Sequence, residues 1–194
     1  MCGEELSLAK ARMSDGVVEL FQLEAQNLTD INNASIDVVL CHWALTLMDP
    51  ITPVLKEINR ILSSGGKFAA LVNGPMNTAP GYLDVYNLIY KYVQTKLPNY
   101  GKIDLGDPRI RSTKSLEHLA REVFPSAEIS IENNVVSLLG PVAEVSETAA
   151  GFFYASFILP TELRMRMLSD LSNLLSVSKP VSYTHLRAHE TNSN

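Results

Sequence analysis

The chain has only two cysteines, Cys2 and Cys41, in 194 residues. They are too few and too differently placed for a disulfide framework. No Cys/His pair has metal-ligand spacing, so a reducing, cytoplasmic setting is expected. A basic cluster is lacking too: 16 Lys and Arg stand against 21 Asp and Glu, for a net charge of −5. Nucleic acid and anionic membrane surfaces therefore find no electrostatic footprint, and neither is expected as a partner. No apolar run approaches the roughly 20 residues that span a bilayer, and the N-terminus lacks the charged-then-apolar order of a secretion signal. With 46% apolar and 19% charged residues, the chain holds enough material for one domain with its own core.

What is present is organised around Ile36 to Leu71, IDVVLCHWALTLMDPITPVLKEINRILSSGGKFAAL. The run Ile36 to Cys41, broken only by Asp37, suits a parallel-sheet strand buried on both faces. Val54, Leu55, Ile58, Ile61 and Leu62 then recur three and four apart, with Lys56, Glu57, Asn59 and Arg60 on the other side. That spacing predicts an amphipathic helix. Ser63-Ser64-Gly65-Gly66 stops it, and Lys67 to Val72 reads as the next strand, completing a βαβ unit.

Before that unit, Glu4 to Met13 reads as a helix, Asp15-Gly16 as a turn, and Val17 to Leu23 as a strand by its β-branched and aromatic content. A polar loop from Glu24 to Ser35 follows. After the unit comes a Pro-, Gly- and Asn-rich loop to Gly81, at the carboxyl end of a strand, where open α/β sheets bind ligands. Tyr82 to Leu97 reads as a helix apolar enough to need covering, and Ser115 to Phe124 as a short amphipathic helix. Ala127 to Glu132 alternates with period two, as in a strand wetted on one face at a sheet edge. Two more helices are predicted at Val145 to Leu159 and Thr161 to Leu175. The last stretch, PVSYTHLRAHE from Pro180 to Glu190, continues no pattern in the chain and resembles translated adapter read-through, so it is set aside from fold reasoning. His185 and His189 stand four apart there and could mimic a helical metal pair, but no metal site is expected of them. The layout is α/β, of the doubly wound kind.

EELSLAKAR, VVELFQLEAQNL and the Ile36 to Leu71 stretch, in that order and spacing, resemble the class I S-adenosylmethionine-dependent methyltransferases, particularly the ubiquinone/menaquinone group. The three pieces are similar to the helix after the family's second strand, its third strand with the acidic turn, and its fourth strand, helix and glycine turn into the fifth. The resemblance implies a partial Rossmann-like fold, S-adenosyl-L-methionine as cofactor and a small-molecule methyl acceptor. It implies that Glu24 accepts from the adenine amino group and that the backbone N–H of Ala25 donates to the ring, with Gln26 beside them. It places Cys41, His42 and Trp43 along the methionine part of the cofactor. Cys41 reads as a small packing residue rather than a nucleophile. His42 reads as a strand-end residue touching cofactor rather than a general base. Trp43 is a lid or core, with both readings open. No catalytic side chain is required, since in-line methyl displacement chiefly needs alignment and exclusion of water. Tyr82, Tyr86, Tyr90, Phe152, Phe153, Tyr154 and Phe157 are candidate substrate walls, with plain core packing the favoured reading.

The family's first strand, its D-x-G-x-G-x-G turn and the acidic residue that holds the ribose have no counterpart here. Its last strand falls where the adapter-like tail stands. In the family order 3-2-1-4-5-7-6, losing strands 1, 2 and 7 leaves the third and sixth without neighbours. The expected division is a partial cofactor-binding core at 1–74, substrate-side helices and an edge strand at 75–179, and a non-native tail at 180–194. The chain is read as a methyltransferase fragment that by itself binds cofactor weakly or not at all. The alternative is a non-catalytic α/β module that works by association. A nucleotide-binding reductase ranks last, because it needs a glycine-rich phosphate turn after a strand. Oligomeric state is not legible.

Overall fold

The structure, a computed structural model, describes residues 3–13, 18–74, 79–102, 106–177 and 182–192. Its elements in chain order are α1 (Gly3–Arg12), β1 (Ile36–His42), α2 (Ile51–Ile61), β2 (Leu62–Asn73), α3 (Tyr82–Gln94), α4 (Thr113–Val123), β3 (Ala127–Ser137), α5 (Val142–Gly151), α6 (Thr161–Val177) and β4 (Ser182–Asn192). The strands form one sheet in the order β1-β2-β4-β3. β1 and β2 are parallel, and β4 runs antiparallel to both β2 and β3.

The main core lies on one face of this sheet. The three-and-four spacing on α2 buries Ile51, Val54, Leu55, Ile58 and Ile61, and burying each such side chain contributes about 1.5–3 kcal/mol. Leu116, Leu119 and Val123 of α4 pack beside them over Phe68, Ala70 and Val72, the alternate residues of β2. Ser112 caps α4, its Oγ accepting from the Ser115 N–H. A second core is helical and gathers Val85, Ile89 and Val93 of α3, Ala149 and Ala150 of α5, and Met167 and Leu171 of α6.

Four expectations change. Val17 to Leu23 is not a strand where it is described: residues 18–23 have no ladder partner, and Val18 and Phe21 are exposed. β1 is not buried on both faces. It ends the sheet order, and Val38 and Leu40 are 54% and 77% exposed. The helix expected over Val145 to Leu159 breaks at Gly151, and a 3-10 turn covers Tyr154–Ile158. The stretch set aside as a tail is not outside the fold: Ser182–Asn192 takes the position between β2 and β3. The alternating strand from Ala127 does lie at an edge, as its pattern implies.

Candidate functional site

Because β1 and β2 are parallel, their carboxyl ends lie side by side, the position at which open α/β sheets take ligands. β1 stops at His42 because the next residue turns sharply. Trp43 adopts φ 60°, ψ −13°, the left-handed region, which costs a non-glycine residue on the order of 1–3 kcal/mol. The surroundings hold it there. Trp43 N–H donates to the Leu71 carbonyl at 2.8 Å, and the Trp43 carbonyl accepts from Thr46 N–H at 3.2 Å and Thr46 Oγ1 at 2.5 Å. The turn brings the His42 and Trp43 rings into a stack at 4.8 Å, and Phe152 meets Trp43 edge-on at 5.7 Å.

Between this strand end and the last turn of α5 lies an open cleft of about 410 Å³. His42, Trp43 and Leu71 form one wall, and Thr148, Gly151 and Phe152 the other. The volume is in the range of small-molecule sites, and the lining is mostly apolar with a few polar groups. Gly151 keeps the far wall low, since a Cβ added there would meet no atom within 4 Å.

Glu24, Ala25, Gln26 and Cys41 do not line this cleft. The first three form a separate tight turn. Asn27 N–H donates to the Glu24 carbonyl at 2.8 Å, and Gln26 Nε2 donates to Glu24 Oε2 at 3.1 Å. Glu24 and Gln26 are exposed, whereas Ala25 packs against the main core. Cys41 also packs there as a free thiol. Burial pushes its pKa up, against the N–H groups of Leu45 and Ala44 that favour the thiolate, so it stays a protonated packing group.

Most of the aromatic candidates go into core. Tyr82, Tyr86 and Tyr90 stack along α3, with Tyr86 and Tyr90 centroids 3.9 Å apart. Phe153 touches all three, and burial pushes the Tyr82 and Tyr90 hydroxyls to higher pKa. Tyr154 and Phe157 point to solvent, the latter under the Arg164 guanidinium. Phe152 alone of the seven lines the cleft. Leu71, Thr148 and Gly151 were not singled out in sequence. A glycine inside a predicted helix is the signal that could have found the break in α5 and hence the far wall.

Among the described residues no group of three or more His, Cys, Asp or Glu could hold a metal, and no helix is long and apolar enough to cross a membrane. The side chains of His185 and His189 lie outside what is described.

A parallel β1–β2 pair, followed by an antiparallel strand inserted before the edge strand, has the same order and directions as strands 4-5-7-6 of the class I methyltransferase sheet that the sequence resembles. Residues 1–70 match the sequence family described as a methyltransferase domain. No curated protein matches the chain in sequence. Among solved structures, the chain is similar to an Anabaena variabilis protein described as a methyltransferase of an antibiotic biosynthesis pathway. The TM-score is 0.60 at 12% identity, over 94% of this chain and 77% of that one. It is similar to a Bacillus halodurans protein described as a methyltransferase, at TM-score 0.52 and 12% identity over 91% and 78%. It is also similar to loganic acid methyltransferase solved with S-adenosylhomocysteine, at TM-score 0.54 and 13% identity over 84% and 63%. At such identities the likeness is one of fold. The resemblance to class I S-adenosylmethionine-dependent methyltransferases holds in both sequence and fold; nothing distinguishes the ubiquinone/menaquinone group within them.

Proposed function

We propose that this chain carries part of an S-adenosyl-L-methionine-dependent methyltransferase, acting on a small-molecule acceptor in the cleft between the β1–β2 carboxyl end and α5. The observation that carries the reading is the strained Trp43 turn at that strand end, which opens onto a ligand-sized cleft. Backbone strain of this kind persists where a site needs it.

The residues present fit the cofactor in two patches. Glu24, Ala25 and Gln26 form a turn with an exposed carboxylate suited to an exocyclic amino group. His42 and Trp43 offer aromatic surface to a cationic sulfonium, an attraction worth about 0.5–2 kcal/mol. When bound, the cofactor supplies an electrophilic methyl group. Leu71 and Phe152 line the cleft with apolar surface, and Thr148 brings a hydroxyl with which to orient an acceptor. Cys41 stays outside the chemistry, and no side chain here is assigned as a general base.

Thermal unfolding with S-adenosylhomocysteine tests this. Ligand at a hundred times its dissociation constant adds about 2.7 kcal/mol to a binder. An upward shift at millimolar ligand, followed by S-adenosylhomocysteine release with a panel of small acceptors, is the expected result. A cooperative transition indifferent to ligand refutes the reading.

A further inference from the structure

Residues 18–35 hold no helix or strand of their own, yet they carry the Glu24–Gln26 turn. Residues 28–35 are tied to α2 and its end, chiefly through one side chain. Arg60 Nη2 donates to the Leu28 carbonyl at 2.8 Å, and Nη1 donates to the Ile31 carbonyl at 2.9 Å and to Asn33 Oδ1 at 2.6 Å. Its other hydrogen bonds, from Nε and Nη2 at 2.8 Å each, go to Glu57. Glu57 Oε2 in turn accepts the Leu28 N–H at 2.8 Å. The backbone continues the seam, with Ala34 N–H on the Arg60 carbonyl and Ser35 N–H on the Ile61 carbonyl, both at 2.9 Å. An ordinary ion pair three residues apart on a helix uses one contact and is worth a few tenths of a kcal/mol. Here a planar fork serves five acceptor contacts across a span of nearly thirty residues.

We propose that Arg60, with Glu57, is a positioning residue for the adenine end of the cofactor: the pair fixes the 28–35 segment so that the Glu24–Gln26 turn presents its carboxylate at a set place. This rests on the functional reading above. Lysine keeps the charge and the pairing with Glu57, but a single ammonium cannot serve acceptors spread over Leu28, Ile31 and Asn33.

The test compares S-adenosylhomocysteine with S-inosylhomocysteine, in which a carbonyl replaces the adenine amino group, on the full chain by calorimetry at millimolar ligand. The wild type should prefer the adenosyl compound at least tenfold, because a carboxylate that accepts from an amino group is repelled by a carbonyl oxygen. Arg60→Lys should bring that preference within threefold while its unfolding temperature without ligand stays near wild type. Glu57→Gln, which keeps the shape but removes the charge, should lower the preference in the same direction and serves if the lysine variant does not fold. A ratio of affinities does not change when part of a sample is merely unfolded, so a purely structural role would leave it unmoved. Full preference retained by both variants overturns the inference alone. A wild type that binds both compounds equally, or neither, overturns the adenine reading and the inference with it.

Discussion

α2 begins after Pro50, which has no side chain that can cap a helix. The cap comes instead from Asp107, far along the chain. Its carboxylate accepts from the Ile51 N–H, from the Arg109 N–H at 3.0 Å, and from Arg109 Nε and Nη2 at 3.0 and 2.6 Å. Arg109 Nη2 reaches on to Thr52 Oγ1 at 3.1 Å, and Asp107 N–H donates to the Met48 carbonyl at 2.9 Å. Asp107 is 5% exposed. The Arg109 guanidinium lowers its pKa from the ordinary 3.8 to about 2, against the opposing effect of burial. At 1.36 kcal/mol per unit, this is about 2 kcal/mol of stability at pH 7. Since the folded pKa is the lower one, the stabilisation is fully present above pH 3.8 and is lost as pH falls toward 2. Asp107→Asn removes the titration and should cost about 2 kcal/mol in urea unfolding at pH 7, plus a pH-independent remainder from an amide facing Arg109. The gap between variant and wild type should shrink by about 1 kcal/mol between pH 7 and pH 3. Glu57, whose pKa Arg60 also lowers to about 2, titrates equally in both proteins and cancels in the comparison. A variant as stable as wild type at pH 7, or a gap that does not change with pH, would refute the account.

Gly106 and Gly101 both have positive φ, at +74° and +73°, but what lies opposite differs. A Cβ on Gly106 would sit 2.1 Å from the Thr46 carbonyl oxygen, in the turn beneath Trp43, whereas one on Gly101 would meet the Tyr90 ring at 2.2 Å. Each Gly→Ala change should cost at least about 1 kcal/mol in denaturant unfolding from the left-handed backbone alone. Gly106→Ala should cost more, because a ring can swing aside and a backbone carbonyl cannot; the reverse order would contradict the packing described. Gly151→Leu meets open space at the last residue of α5, so it should leave the melting temperature near wild type. The same change fills the cleft, and S-adenosylhomocysteine binding or acceptor turnover should fall tenfold or more. Undiminished function in a folded Gly151→Leu would place the site elsewhere.

Where a segment's partner lies close in sequence, the pattern could be read directly. The three-and-four spacing of α2 and α4 and the period two from Ala127 each report a face that packs on a neighbouring element, and each emerges in the fold. Composition alone misled at β1 and at Val17 to Leu23, because a strand needs another strand and neither segment says whether one is there. Val38 and Leu40 look like core in sequence and are solvent-facing in the fold. The near wall of the cleft was legible through the resemblance, which pointed to His42 and Trp43. The far wall was not, since Phe152 reaches it only because α5 ends at Gly151 and turns. The anchoring of the Glu24 turn was hidden for a similar reason: Arg60 reads as an ordinary residue on the polar side of a helix until its acceptors are brought to it.

The strand at Ser182–Asn192 is held by its neighbours' edges. β2 and β3 point the same way and are separated by one strand's width, so a strand passing antiparallel to both joins them into a sheet. Lys67 to Asn73 pair with Thr191 to His185 on one side, and Ala127 to Ser137 pair with Asn192 to Ser182 on the other. Those ladders are made by main-chain N–H and C=O groups, which every residue but proline carries in full. No proline falls between Ser182 and Asn192. The slot therefore selects for an uninterrupted backbone far more than for particular side chains, and a stretch that continues no pattern in the chain can still fill it. β4 thereby covers the edges of β2 and β3 that face each other, which would otherwise stand unpaired.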